Sequence, residues 1–200
     1  ANLDHDWNGP NDDLKVSRMW NVPLSNNNGL LVERSDGYLV QFARRGVTNK
    51  VISTDWGNDY EGNPITLVDV YSGCLFHLSN NSIFNSLTGD FIYQPTGEES
   101  AKPVQFAGTQ WVYNFLLDDG TVVGNKPYPG DLYGENNNLS VEKLISYSDN
   151  FIALRSDGSV ITWGSDSRYQ VENLDAGSQS RLSAGVKDIS RGAMRSLYAI

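Results

Sequence analysis

Short apolar stretches alternate with turn residues along most of the chain, and one such unit is nearly complete. Residues 147–164 read as an apolar strand, an Asp-Gly turn, a β-branched strand and a final Trp-Gly pair. An Asp-Gly pair between β-rich stretches is a strong hairpin signal, because the turn needs a positive φ that glycine adopts readily. The pattern therefore predicts a β-hairpin over these residues.

The same unit recurs along the chain with a period of about 40 residues. Residues 34–42 repeat the turn and the second strand, and residues 115–124 repeat both strands. Residues 75–84 form a weaker copy with an Asn-Asn pair at the turn, and residues 186–200 match the lead-in and the first strand. No stretch shows a sustained apolar stripe of helical period, so almost no helix is expected. A β-rich repeat of this length favours propeller blades over a helical solenoid.

We therefore expect an all-β fold, a small β-propeller of about five blades, in one domain over residues 1–200. A strand within residues 12–20 would pair with the last blade and close the ring, which would remove open sheet edges. A fragment of a longer array is the alternative. The expected repeats cover residues 21–64, 65–103, 104–141, 142–185, and 186–200 together with 12–20.

The charge of the chain narrows the classes of partner. The formal net charge is −9, whereas nucleic acids and anionic membrane surfaces both attract basic proteins. The net negative charge therefore argues against nucleic-acid binding. No stretch of about 18 apolar residues occurs, so membrane insertion is not expected either. A basic or neutral partner would be attracted, although the acidity serves solubility equally well.

A single cysteine, Cys74, rules out a disulfide within the chain. It lies in an apolar strand, which predicts a buried structural thiol. The chain begins with Ala1 and shows no signal peptide, as in a processed secreted protein or an excised piece. The compartment stays open, with a secreted or cell-surface location slightly favoured over the cytoplasm.

These repeats resemble those of the regulator of chromosome condensation family, in particular its divergent bacterial branch. The family blade runs from an apolar lead-in through an apolar strand and an Asp-Gly turn to Val-x-x-Trp-Gly. Residues 151–164 and 186–200 match it most closely, residues 115–124 and 34–42 fairly, and residues 75–84 weakly. Five blades in place of the usual seven, and the missing histidine before the first strand, depart from the family.

The resemblance implies a rigid disc that binds other proteins through loops on its faces. Chromatin-linked members act as exchange factors for a small GTPase, and certain bacterial members inhibit β-lactamases. Others resemble surface or effector proteins, which extends the range to virulence or secreted factors. The acidity of this chain argues against a chromatin role.

Known catalytic motifs are missing from the sequence, and no cofactor or metal is expected. His77 alternates with apolar neighbours, which predicts a packed and hydrogen-bonded side chain. Asp55, Asp59 and Glu61 are candidates for a glycosidase pair, but their spacing does not show that two of them meet. The same stretch lacks the spacing of a calcium loop.

The loops that follow the second strands are the predicted binding region, because loops on a rigid scaffold commonly carry function. They contain aromatic side chains, which anchor many interfaces, and an Arg-Arg pair that could receive a carboxylate. The alternative for the aromatic side chains is that they pack against the blade edges. The alternative for the arginines is that they lie in a solvated turn. The candidate binding residues are Arg44, Arg45, Trp56, Tyr60, Tyr93, Tyr128, Tyr133 and Tyr169.

The sequence thus favours a propeller that binds another protein and is not an enzyme. An adhesin or receptor-binding module, a toxin-associated module, and an inhibitor or immunity protein all fit this description. A lectin-like propeller that binds a glycan is the alternative, although the aromatics do not keep one offset from the turn glycines. A small enzyme acting on glycosides is a second alternative.

Overall fold

The residues described by a computed structural model of the chain form short antiparallel strands in five open sheets. The chain divides into two compact units, residues 1–91 and residues 92–200. The structure describes residues 15–24, 27–42, 50–52, 55–59, 61–72, 74–97, 100–109, 111–126, 140–147, 149–165, 171–192 and 197–200.

Two four-stranded sheets come first in the chain. The first sheet has the order β1-β2-β3-β4 and the second has the order β5-β6-β7-β8, so each strand pairs with its neighbour in sequence. Their bounds are β1 Val16–Leu24, β2 Asn27–Arg34, β3 Leu39–Phe42, β4 Lys50–Ile52, β5 Leu67–Tyr71, β6 Leu75–Leu78, β7 Ile83–Asn85 and β8 Asp90–Tyr93.

Three smaller sheets follow. The third and fourth sheets have three strands each, and the fifth has two among the described residues. Their bounds are β9 Pro103–Gly108, β10 Tyr113–Leu117, β11 Val122–Gly124, β12 Val141–Tyr147, β13 Asn150–Arg155, β14 Val160–Gly164, β15 Ile189–Arg191 and β16 Leu197–Ala199. A short 3₁₀ turn, Val171–Asn173, and one helix, α1 Ala176–Leu182, lie between β14 and β15. No helix in the described ranges is long and apolar enough to cross a bilayer.

The four larger sheets share one register. In each, the opening strand skips one residue near its start where it pairs with the next strand. A skip of this kind is a β-bulge, which bends the strand and increases its twist. The residues passed over are Ser17, Val68, Val104 and Glu142.

The four hairpins also share one turn. At the third, the Leu117 N–H donates to the Thr121 carbonyl and the Gly120 N–H donates to the Leu117 carbonyl. The last loop residue is left-handed in every case, as in a three-residue loop with a glycine bulge. The φ angles are 84° at Gly37, 65° at Asn81, 84° at Gly120 and 77° at Gly158. The positive φ predicted for the Asp-Gly turns is therefore confirmed.

In the second unit, these turns also join consecutive sheets. The Gly120 carbonyl accepts a hydrogen bond from the Val141 N–H, and the Gly158 carbonyl accepts one from the Val186 N–H. The approach is close, because a Cβ added at Gly120 would lie 2.2 Å from the Ser140 Cβ. Glycine is thus required there by space as well as by φ.

Polar side chains make further links between the sheets of the second unit. The Gln105 Oε1 accepts a hydrogen bond of 2.9 Å from the Leu144 N–H, which ties the third sheet to the fourth. The Lys143 Nζ lies 2.6 Å from the Asp188 Oδ1, which ties the fourth sheet to the segment before β15. Gln105 and Lys143 occupy the same position, directly after the bulge of their strands.

Apolar residues fill the space between the sheets within each unit. The stacked rings of Phe151 and Trp163 lie 5.3 Å apart in a buried cluster of the second unit. The tryptophan of the Trp-Gly pair therefore packs in the core. The buried cluster of the first unit consists of Leu31, Leu39, Ile65, Leu67, Phe76 and Leu78.

The all-β class is confirmed, but the expected closure by the N-terminal strand differs from the structure. Residues 16–20, which were expected in the last blade, lie in β1 and pair with β2. Residues 16–24 thus form the opening strand of the first sheet, and residues 12–14 lie outside the described residues. The physical reason is that a strand next in sequence is paired at a low cost in loop-closure entropy. The bounds of the five repeats stay predictions.

We expect Gly158→Ala to destabilise the protein more than Gly185→Ala does. Both glycines have a φ of 77°, but a Cβ at Gly158 would lie 2.7 Å from the Gly185 nitrogen, whereas a Cβ at Gly185 meets nothing within 4 Å. Left-handed strain alone costs about 1–2 kcal/mol, and the clash adds about 1–3 kcal/mol. Urea unfolding followed by tryptophan fluorescence measures both losses, and equal losses would contradict the joining role of the turn.

Candidate functional site

A cavity of about 600 Å³ lies in the second unit. β13 and β14 contribute Ile152, Val160 and Thr162 to its lining, and the α1 region contributes Leu174 and Leu182 among others. The far side is lined by residues 198–200. The cavity is therefore bounded by the fourth sheet, by α1 and by the fifth sheet.

The α1 region is fixed over the fourth sheet by local hydrogen bonds. The Val171 N–H donates to the Thr162 Oγ1 at 2.7 Å, which ties the start of this segment to β14. Asp175 caps the helix, because its Oδ1 accepts the N–H groups of Gly177 and Ser178. The Ser178 hydroxyl donates to the Asp175 Oδ2, and this bond, followed by the backbone bonds, lowers the pKa of Asp175. The wall formed by α1 is thus specified by short-range polar contacts.

The fifth sheet exposes side chains whose counterparts in the fourth sheet are buried. Val141 and Val186 make the equivalent contacts with the preceding turns, so they mark the same position in the fourth and fifth sheets. Leu144 and Ile189 each come three residues later, and they pair with Ala153 and Ala199 respectively. Residues 197–200 are therefore the counterparts of residues 151–154.

The exposed fractions differ sharply between these counterparts. Ile152 and Leu154 are each 4% exposed, whereas Tyr198 is 54% exposed and Ile200 is 74% exposed. Tyr198 and Ile200 also belong to the lining of the cavity.

Arg181 is the charged side chain in the described lining of the cavity. It makes no ion pair or hydrogen bond with the described residues, unlike Arg18, Arg34 and Lys143. An apolar cavity with a single cation at its wall suits an apolar group that carries a negative charge beside it.

Most of the sequence-predicted binding residues lie outside the described residues. This applies to Arg44, Arg45, Tyr60, Tyr128, Tyr133 and Tyr169. Their binding roles stay predictions.

Trp56 and Tyr93 are described, and both are half-buried. Trp56 packs edge-on against Phe76 and Phe84, with ring centroids 6.3 and 6.4 Å apart. The Tyr93 hydroxyl donates to the Ala101 carbonyl at 2.6 Å. Both side chains thus make the packing contacts that the sequence offered as the alternative, and their roles in binding stay predictions.

The carboxylates at residues 55–61 organise a turn. The Asp59 Oδ1 accepts hydrogen bonds from the N–H groups of Glu61 and Asn63. The Asn63 Nδ2 donates to the carboxylates of Asp59 and Glu61. The bond from the Asn63 N–H lowers the pKa of Asp59. Within the described ranges, no three His, Cys, Asp or Glu side chains are grouped so that they could hold a metal ion.

Cys74 and His77 take the packed positions that were predicted for them. Cys74 is fully buried, and burial raises the pKa of its thiol to about 11. His77 is half-buried, and desolvation lowers its pKa although Asn81 and Asp69 act against this shift. The buried Nε2 of His77 has no hydrogen-bond partner in the described part of the chain.

Two features were missed from the sequence. Trp111 is 61% exposed on the turn between β9 and β10, where Thr109 and Asn125 bind its backbone. This turn lies between β9 and β10, outside the loops after second strands in which binding residues were expected. The other missed feature is α1. Its N-cap residue Asp175, three residues before Ser178, could have indicated the start of a helix.

Comparisons with protein-family models, with characterised proteins and with solved structures found no match to this chain.

We expect the protein to lose stability when the pH falls below about 6.5, the ordinary pKa of histidine. The folded-state pKa of His77 is lowered, so the unfolded chain takes up the proton first. The contribution is fully present above that pH and is lost as the pH falls through the window between the two pKa values. Thermal unfolding between pH 7.5 and 5.5 measures this loss.

The matched control is His77→Gln, which stays neutral throughout this range. The difference in melting temperature between pH 7.5 and 5.5 should be smaller in the variant. An equal difference would mean that another group is responsible.

Proposed function

We propose that this protein is a binding protein without catalytic activity, and that its partner is another protein which covers the fifth sheet and the adjoining cavity. The observation that carries the proposal is the cavity of about 600 Å³ beside α1, which is lined mostly by apolar side chains and has Arg181 at its wall. A partner that removes exposed apolar side chains beside a preformed cavity from water lowers the free energy of the system, which favours binding.

We also propose that the five sheets are the blades of a propeller-type array related to the regulator of chromosome condensation family. The bulge shared by the four larger sheets supports this, as does the shared turn with its left-handed last residue. Repeated units of this kind form a rigid scaffold with an extended surface, which is suited to binding a partner.

The exposure of Trp111 favours a glycan as the second candidate ligand. Its backbone N–H donates to the Thr109 Oγ1 and its carbonyl accepts from the Asn125 Nδ2, so the ring is presented on a well-bonded turn. A fixed aromatic ring can stack on the apolar face of a sugar. A glycan array probed with the protein and with Trp111→Ala tests this candidate.

The protein partner is tested by quantitative capture from the native source with the double variant Tyr198→Ser, Ile200→Ser. Truncating an anchor residue at an interface commonly costs more than 1 kcal/mol, so the variant should retain at least about tenfold less partner. Capture by the wild type and the variant is compared by mass spectrometry, and the affinity for the purified partner is then measured.

Tyr38→Ser is the matched control, because Tyr38 is 48% exposed but lies in the first unit. It should leave capture unchanged. A partner retained equally by all three proteins would contradict the assignment of the fifth sheet as the binding surface.

A further inference from the structure

We draw no further inference here: the strongest candidate, the cavity of about 600 Å³ bounded by the fourth sheet, α1 and residues 198–200, belongs to the site already described, and nothing in the described part of the chain shows what occupies it.

Discussion

The left-handed residue at the end of each hairpin turn is the constraint on which the rest of the structure depends. It sets the turn, and the turn sets which residues of the two strands face each other. In the second unit, the same residue must also be glycine, because the next sheet lies against its Cα at Gly120 and Gly158. One backbone conformation thus fixes both the register within a sheet and the start of the next sheet. Arg18 makes the corresponding link in the first unit through the carbonyl groups of Leu67 and Val68.

The parts of the fold that could be predicted from the sequence are those that depend on neighbouring residues. The Asp-Gly turns, the strands beside them and the burial of Cys74 and Trp163 follow from local pattern. The pairing of residues 16–20 did not follow, because their apolar and β-branched character suits the first and the last sheet equally. Only the closeness of β2 in sequence decides between them.

The candidate site was harder to predict than the strands. The sequence pointed to the loops after the second strands, and α1, which follows β14, does line the cavity. The aromatic residues chosen there and elsewhere did not indicate the cavity itself. A cavity is a property of packing between elements, and it depends on how closely the side chains of the fourth sheet, α1 and the fifth sheet approach one another. No short pattern in the sequence records those distances.

The shared bulge and the shared turn have a consequence for how such a chain can change in length. Each sheet of the second unit is joined to the next by the same few contacts, a turn carbonyl and a polar side chain after the bulge. A whole copy could therefore be duplicated or deleted there while the junctions on either side keep their geometry.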